Sequence, residues 1–234
     1  MPELDYQGLP WVQGLNLPVD TRKGNGEPNL FVAGCSVSAG MFINIEQSYG
    51  SLLSEKTQMS LVLLANRSTS VDWAANQIIS SDLRPGDVVV WGITAVHRLT
   101  WLTLGTDNNF QPVHCLPTMN PKFANFMGNS AYDLVKRFMV EAEQHHMLAA
   151  ATKILQVKKV CEMSGARLLF GFLPYSGTDI VKQLTTAFTN DAGYVKIPYS
   201  TESPHWTDFG SDGAHPGPES HRLIAEAFFS KLKN

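Results

Sequence analysis

Leu30-Phe31-Val32-Ala33-Gly34-Cys35-Ser36-Val37-Ser38-Ala39-Gly40 is the stretch on which the fold turns. Leu30 to Ala33 are four apolar residues in a row that stop at a glycine. They lack the alternation of a half-exposed strand and predict a short strand buried on both faces, as in a parallel sheet. The small residues after it allow a tight turn, and a helix N-terminus following that turn would offer free backbone N–H groups. Outward from here the same pattern recurs. A helix-like stretch, Ser48 to Lys56, leads to an apolar run, Leu61 to Ala65. Another, Val71 to Leu83, leads through Pro85-Gly86 to Asp87–Gly92. Arg167 to Phe172 gives a fourth strand and Gly193 to Ile197 a weaker fifth. Strands separated by helical segments predict βαβ units, hence an α/β fold around a parallel sheet. The last helix is expected from Pro218 to Leu232, where Leu223, Ile224, Ala227 and Phe228 keep helical spacing.

Two regions depart from this pattern. Residues 1–28 are rich in Pro, Gly and Asn and read as an extended lead-in. Residues 99–130 carry Pro112, Pro117 and Pro121 among many Asn and aromatic residues and read as an irregular insertion. A long helical stretch, Tyr132 to Ser164, follows it. With no repeat or convincing linker, residues 1–234 are expected to form a single domain.

Composition narrows the function. Of 234 residues, 44% are hydrophobic and 17% charged, enough for a real core and too little charge for a disordered chain. The net charge of −3 gives no basic footprint for nucleic acid or anionic membrane. No run approaches a membrane span, and the start, Met1-Pro2-Glu3-Leu4-Asp5, does not look like a signal peptide. A soluble, by default cytoplasmic, protein acting on a small molecule or a carbohydrate is expected, with oligomerisation left open. The three cysteines, Cys35, Cys115 and Cys161, are widely spaced and predict reduced thiols rather than a zinc knuckle.

In an open parallel sheet, ligands sit at the carboxyl ends of the strands. Two such loops stand out. Ser36 follows the first strand, where its hydroxyl could attack a carbonyl while backbone donors hold the oxyanion; it or Ser38 could equally cap a helix. Ser211-Asp212-Gly213-Ala214-His215-Pro216-Gly217-Pro218 precedes the last helix. A turn there can fold Asp212 back onto the His215 imidazole, fixing its tautomer while the other ring nitrogen faces a nucleophile.

Together the two segments resemble the SGNH hydrolases, also called GDSL esterases and lipases. The first block of that family is a strand ending in Gly-Asp-Ser; here it reads Gly34-Cys35-Ser36, similar to variants in bacterial and phage-encoded members. The last block, Asp-x-x-His-Pro, is matched by Asp212 to Pro216. The resemblance implies a three-layer α/β/α, flavodoxin-like fold with a central parallel five-stranded sheet. It implies a serine esterase with Ser36, His215 and Asp212 as catalytic residues, no metal and no organic cofactor. It leaves open a virion-associated location.

The middle blocks differ from the family pattern. Where the family has an oxyanion-hole glycine, the best register places Ser68, with Asn66 and Thr69 as neighbouring alternatives. Where it has Asn, this chain has Thr94, a shorter donor. His97 and Arg98 on the same loop could orient a substrate. Asp208 is an alternative acid, and Cys35 an alternative nucleophile of lower rank. Adjacent His145 and His146 point in different directions on a helix and do not read as a same-face metal pair. The expected substrate is a carboxylic ester, with a short acyl group on a carbohydrate favoured. Trp101, Phe110, Phe123 and Phe126 could frame a carbohydrate or acyl site, a satellite core or a subunit contact. The competing functions are a non-catalytic binding or assembly module, and a thioesterase or acyltransferase with the same triad.

Overall fold

A computed structural model describes residues 28–66, 69–93, 95–96, 98–104, 110–115, 133, 137, 143–173, 179–198 and 206–233. The elements run β1 (Asn29–Gly34), α1 (Tyr49–Thr57), β2 (Ser60–Ala65), α2 (Val71–Ile79), β3 (Val88–Ile93), β4 (Leu99–Leu104) and β5 (Phe110–Cys115). They continue with α3 (Glu143–Ser164), β6 (Arg167–Phe172), α4 (Asp179–Phe188) and α5 (Pro218–Lys233).

Four strands form a parallel sheet in the order β2-β1-β3-β6. Alternation along each strand explains the layers. Phe31, Ala33, Val89, Trp91, Ile93, Phe170 and Phe172 share one core with α2, α3 and α4. Leu30, Val32, Val88, Val90 and Leu169 share the other with α1 and α5. Every β3 residue is buried, which is why its sequence reads as one apolar run rather than an alternating one.

The expected fifth strand is a correction. Gly193 to Ile197 contributes a single parallel bridge, Phe170 to Tyr194. Phe170 N–H donates to the Gly193 carbonyl and Val195 N–H to the Phe170 carbonyl, and the ladder goes no further. The described sheet therefore has four strands plus this bridge. The 99–130 segment is corrected as well. It is not wholly irregular, because β4 and β5 pair as an antiparallel two-stranded sheet, with Trp101 opposite Val113 and Phe110 opposite Leu104. Leu99 to Leu104, made only of Leu, Thr and Trp, is rich in strand formers, and Pro112 inside the partner strand is what hides the pairing in the sequence. Phe123 and Phe126 lie outside the described residues. Helix α4 was not expected from the sequence.

The chain leaves β1 for β2 on one side, while β3 occupies the other. Loops leaving β1 and β3 thus diverge, and this is where a doubly wound sheet opens a crevice. Ser36 follows β1 at this crevice. No described helix is long and apolar enough to cross a membrane.

Candidate active site

The loop that carries Ser36 is built around two glycines that face each other in register, Gly34 on β1 and Gly92 on β3. Gly34 has φ +142°, and a Cβ there would lie 2.5 Å from the Gly92 carbonyl oxygen and collide with Ser38 Oγ. A Cβ on Gly92 would lie 2.7 Å from Ser38 Oγ and 2.8 Å from Tyr49 Oη. The space that both glycines vacate holds a buried hydroxyl pair, in which Tyr49 O–H donates to Ser38 Oγ at 2.7 Å. Burial pushes the Tyr49 phenol well above its ordinary pKa, so it stays protonated and able to donate.

Beyond Gly34 the backbone turns tightly, with Ala39 N–H donating to Cys35 O and Met41 N–H to Ser36 O. No α-helix begins at once. Helix α1 starts only at Tyr49, and its cap is Ser48, whose hydroxyl accepts from Ser51 N–H. Ser36 and Ser38 are therefore not helix caps. The Cys35 thiol is buried within the core that α1 and α5 cover, and the Ser36 side chain meets the imidazole instead.

The second loop comes to the first by way of the Gly34 carbonyl, which accepts from Thr69 Oγ1 at 2.8 Å and from Asn66 N–H at 3.3 Å. Thr69 Oγ1 also lies 3.1 Å from the Asn66 carbonyl. Thr69 Oγ1 and the Asn66 backbone thus hold the loop after β2 against the loop that carries Ser36. Ser70 caps α2, accepting from Trp73 N–H. Ser68, Thr94 and His97 lie outside the described residues. Arg98 is buried and lines a cavity of about 80 Å³ with Asp72, His145 and His146, between the N-terminal ends of α2 and α3. His145 is exposed and His146 buried, as expected for successive helix positions.

The third loop carries Asp212 and His215. Phe209 and Pro216 form an antiparallel bridge, Gly210 N–H donates to the His215 carbonyl, and Gly213 turns the tip with φ +68°. Within this loop Asp212 Oδ1 accepts from Ala214 and His215 N–H, and Asp212 Oδ2 lies 2.6 Å from His215 Nδ1. Burial works against the Asp212 carboxylate. The backbone N–H and ring of His215, with Ala214 N–H, outweigh it and hold the group below the usual carboxylate range. An ionised carboxylate can only accept, so the imidazole proton belongs on Nδ1. That leaves Nε2 bare, and it lies 2.9 Å from Ser36 Oγ. The described geometry therefore runs from a hydroxyl, through an imidazole, to a carboxylate.

Asp208, the alternative acid, does something else. Its carboxylate accepts from Glu219 N–H, Ser220 N–H and Ser220 Oγ at 2.7–2.9 Å, closing the N-terminus of α5. Sequence reasoning missed Phe42. It has φ +67°, its carbonyl accepts from both Ser211 N–H and Ser211 Oγ, and its ring centroid is 4.8 Å from that of His215. No spacing or composition signal marks it.

Compared by sequence, the chain matches no protein-family profile and no curated protein. Compared by structure, it resembles a protein of the G-D-S-L lipolytic family from Desulfitobacterium hafniense DCB-2, with TM-score 0.57 and 15% identity over 88% of this chain and 100% of that one. The chain has the SGNH-hydrolase fold. Two further structures with this fold are a family two carbohydrate esterase from Clostridium thermocellum in complex with cellohexaose (TM-score 0.51, 15% identity) and an acetyl xylan esterase from the rumen bacterium Butyrivibrio proteoclasticus (TM-score 0.50, 12% identity). Each covers 89% of this chain, which in turn spans 64% of either. Among the described residues, no cluster of three or more His, Cys, Asp or Glu side chains gathers that could hold a metal ion.

Proposed function

We propose that this protein is a serine esterase in which Ser36 is the nucleophile, His215 the general base and acid, and Asp212 the group that orients and stabilises His215. The observation that carries this reading is the relay of 2.9 Å from Ser36 Oγ to His215 Nε2 and 2.6 Å from His215 Nδ1 to Asp212. In the first step His215 Nε2 takes the Ser36 proton as Oγ bonds to the ester carbonyl carbon, and the carbonyl oxygen becomes an oxyanion. Collapse breaks the bond to the leaving alcohol, which takes the proton from Nε2. Water then adds to the acyl-enzyme by the same route and releases the acid.

The oxyanion would be held by the Ser36 and Ser68 backbone N–H groups and the Thr94 hydroxyl. One such donor is worth about a hundredfold or more in kcat, and T94A should lower kcat by about that factor. The substrate we favour is a short acyl ester on a carbohydrate. The support is that two structures sharing this fold are a carbohydrate esterase and an acetyl xylan esterase.

The test is hydrolysis of p-nitrophenyl acetate by the wild type and by Ser36→Ala. Wild-type turnover that S36A loses by at least about 10⁴-fold supports the esterase. Equal rates, or none from either, would leave the fold with a binding or assembly role. Product analysis with added alcohol acceptors separates hydrolysis from acyl transfer.

A further inference from the structure

The two halves of the relay come from residues 179 positions apart, on loops with separate anchors. The nucleophile loop hangs from β1. The acid–base loop is closed at its base by the Phe209–Pro216 bridge, and Asp208 fastens it to α5. Neither anchor joins the acid–base loop to the Ser36 loop, so the Ser36–His215 distance depends on a strut between the two.

Phe42 lies where that strut is needed. The turn that starts at Ser36, closed by Met41 N–H on Ser36 O, brings Phe42 next to the tip. There its carbonyl takes two hydrogen bonds from Ser211, from N–H at 2.9 Å and from Oγ at 3.1 Å. Gly210 allows the approach, since a Cβ there would lie 2.8 Å from the Phe42 oxygen. The ring of the same residue lies against the imidazole, 4.8 Å between centroids and 37° between planes. Phe42 does this at φ +67°, a conformation that favours glycine and is an outlier for a bulky side chain. Such outliers persist where the surroundings over-determine them, and they cluster at functional sites. A glycine would make the same carbonyl contacts without strain, so the ring must supply what glycine cannot.

We infer that Phe42 is a positioning residue for His215: its carbonyl ties the acid–base loop to the nucleophile loop, and its ring holds the imidazole in line with Ser36. The inference rests on the proposed Ser36–His215 chemistry. Misplacing a reacting group by an ångström can cost about a hundredfold in rate.

Phe42→Gly separates the two parts, because it keeps the backbone conformation and the carbonyl while removing the ring. Its kcat on p-nitrophenyl acetate should fall about ten- to a hundredfold with KM changed less than about threefold. Phe42→Tyr should restore most of the rate, and the melting temperature of F42G should stay near wild type because strain relief offsets lost packing. A readout without substrate is the His215 Nδ1 proton followed by NMR. Its exchange with water should quicken more than about tenfold in F42G. An F42G enzyme with wild-type kcat, in a protein that S36A silences, overturns the inference and leaves the esterase standing. Should the wild type show no hydrolysis, the esterase fails, and the exchange rate alone decides whether the ring holds His215; an unchanged rate overturns it.

Discussion

Asp212 shows how much a single short loop can prepare. Two backbone N–H groups and one ring nitrogen converge on a carboxylate whose side chain is only 23% exposed. They fix both its ionisation and its direction. Asp212→Asn would keep the shape but present an N–H where the imidazole needs an acceptor, favouring the wrong tautomer. The expected loss in kcat is about 10³–10⁴-fold with little change in KM, read by steady-state kinetics beside S36A. Tyr49 acts one layer further in. Its hydroxyl reaches Ser38 beneath Gly34 and Gly92, so Tyr49→Phe strands a buried Ser38 oxygen without its donor. That should cost about 1–3 kcal/mol in chemical denaturation. Ser36, Asp212 and His215 were readable as candidates only as a set, because a serine in such a loop can equally cap a helix and it is the order of the two segments that resembles a hydrolase. Phe42 was not, since a left-handed phenylalanine looks like any other.

Among the elements, α5 and the loop before it work as one unit. Asp208 accepts three hydrogen bonds at the helix N-terminus, and those donors outweigh the effect of burial and hold its carboxyl below the ordinary range. Asp208→Ala should therefore cost about 1–2 kcal/mol of stability, seen as a lower denaturation midpoint. It should spare far more activity than D212N, which separates the two acids that the sequence left as alternatives. The bounds of β1, β2, β3 and β6 were legible to within a residue or two, since these are short apolar runs, whereas α4 was not anticipated. The fifth strand was not legible as a single bridge. Gly193 to Ile197 has the apolar residues, but how many of them pair with β6 depends on how closely the segment runs to it.

Across the whole molecule, the layer formed by α1 and α5 carries a titratable group in its core. His221 is fully buried, with Nδ1 accepting from Tyr49 N–H at 3.1 Å and its ring stacked on Tyr49. Burial pushes its pKa down to about 4; Asp208 opposes this, and His215 adds to it. The unfolded chain binds this proton near pH 6.5, whereas the folded protein refuses it until about pH 4. Stability is therefore fully present above pH 6.5 and falls with pH across that window, by up to about 1.4 kcal/mol per pH unit. Denaturation midpoints between pH 7 and pH 4 should show this slope, and His221→Gln should flatten it. The depressed carboxylates of Asp208 and Asp212 act in the same direction but lower, as pH falls through their own titration.

What the sequence determined by itself was local in origin: the apolar period of the strands, the turn chemistry of Gly34 to Gly40, and the order in which Ser36, Asp212 and His215 occur. Those features depend on neighbours along the chain, so they survive being read one residue at a time. The tertiary structure decided what depends on distance in space. It set Ser36 2.9 Å from an imidazole 179 residues away, made Asp208 a helix cap, and buried the Tyr49–Ser38 hydroxyl pair against Gly34 and Gly92. It also placed a strained aromatic residue against His215. Close packing of two β-strands and three loops brings these groups together, and no periodicity records which long-range contacts that packing will make.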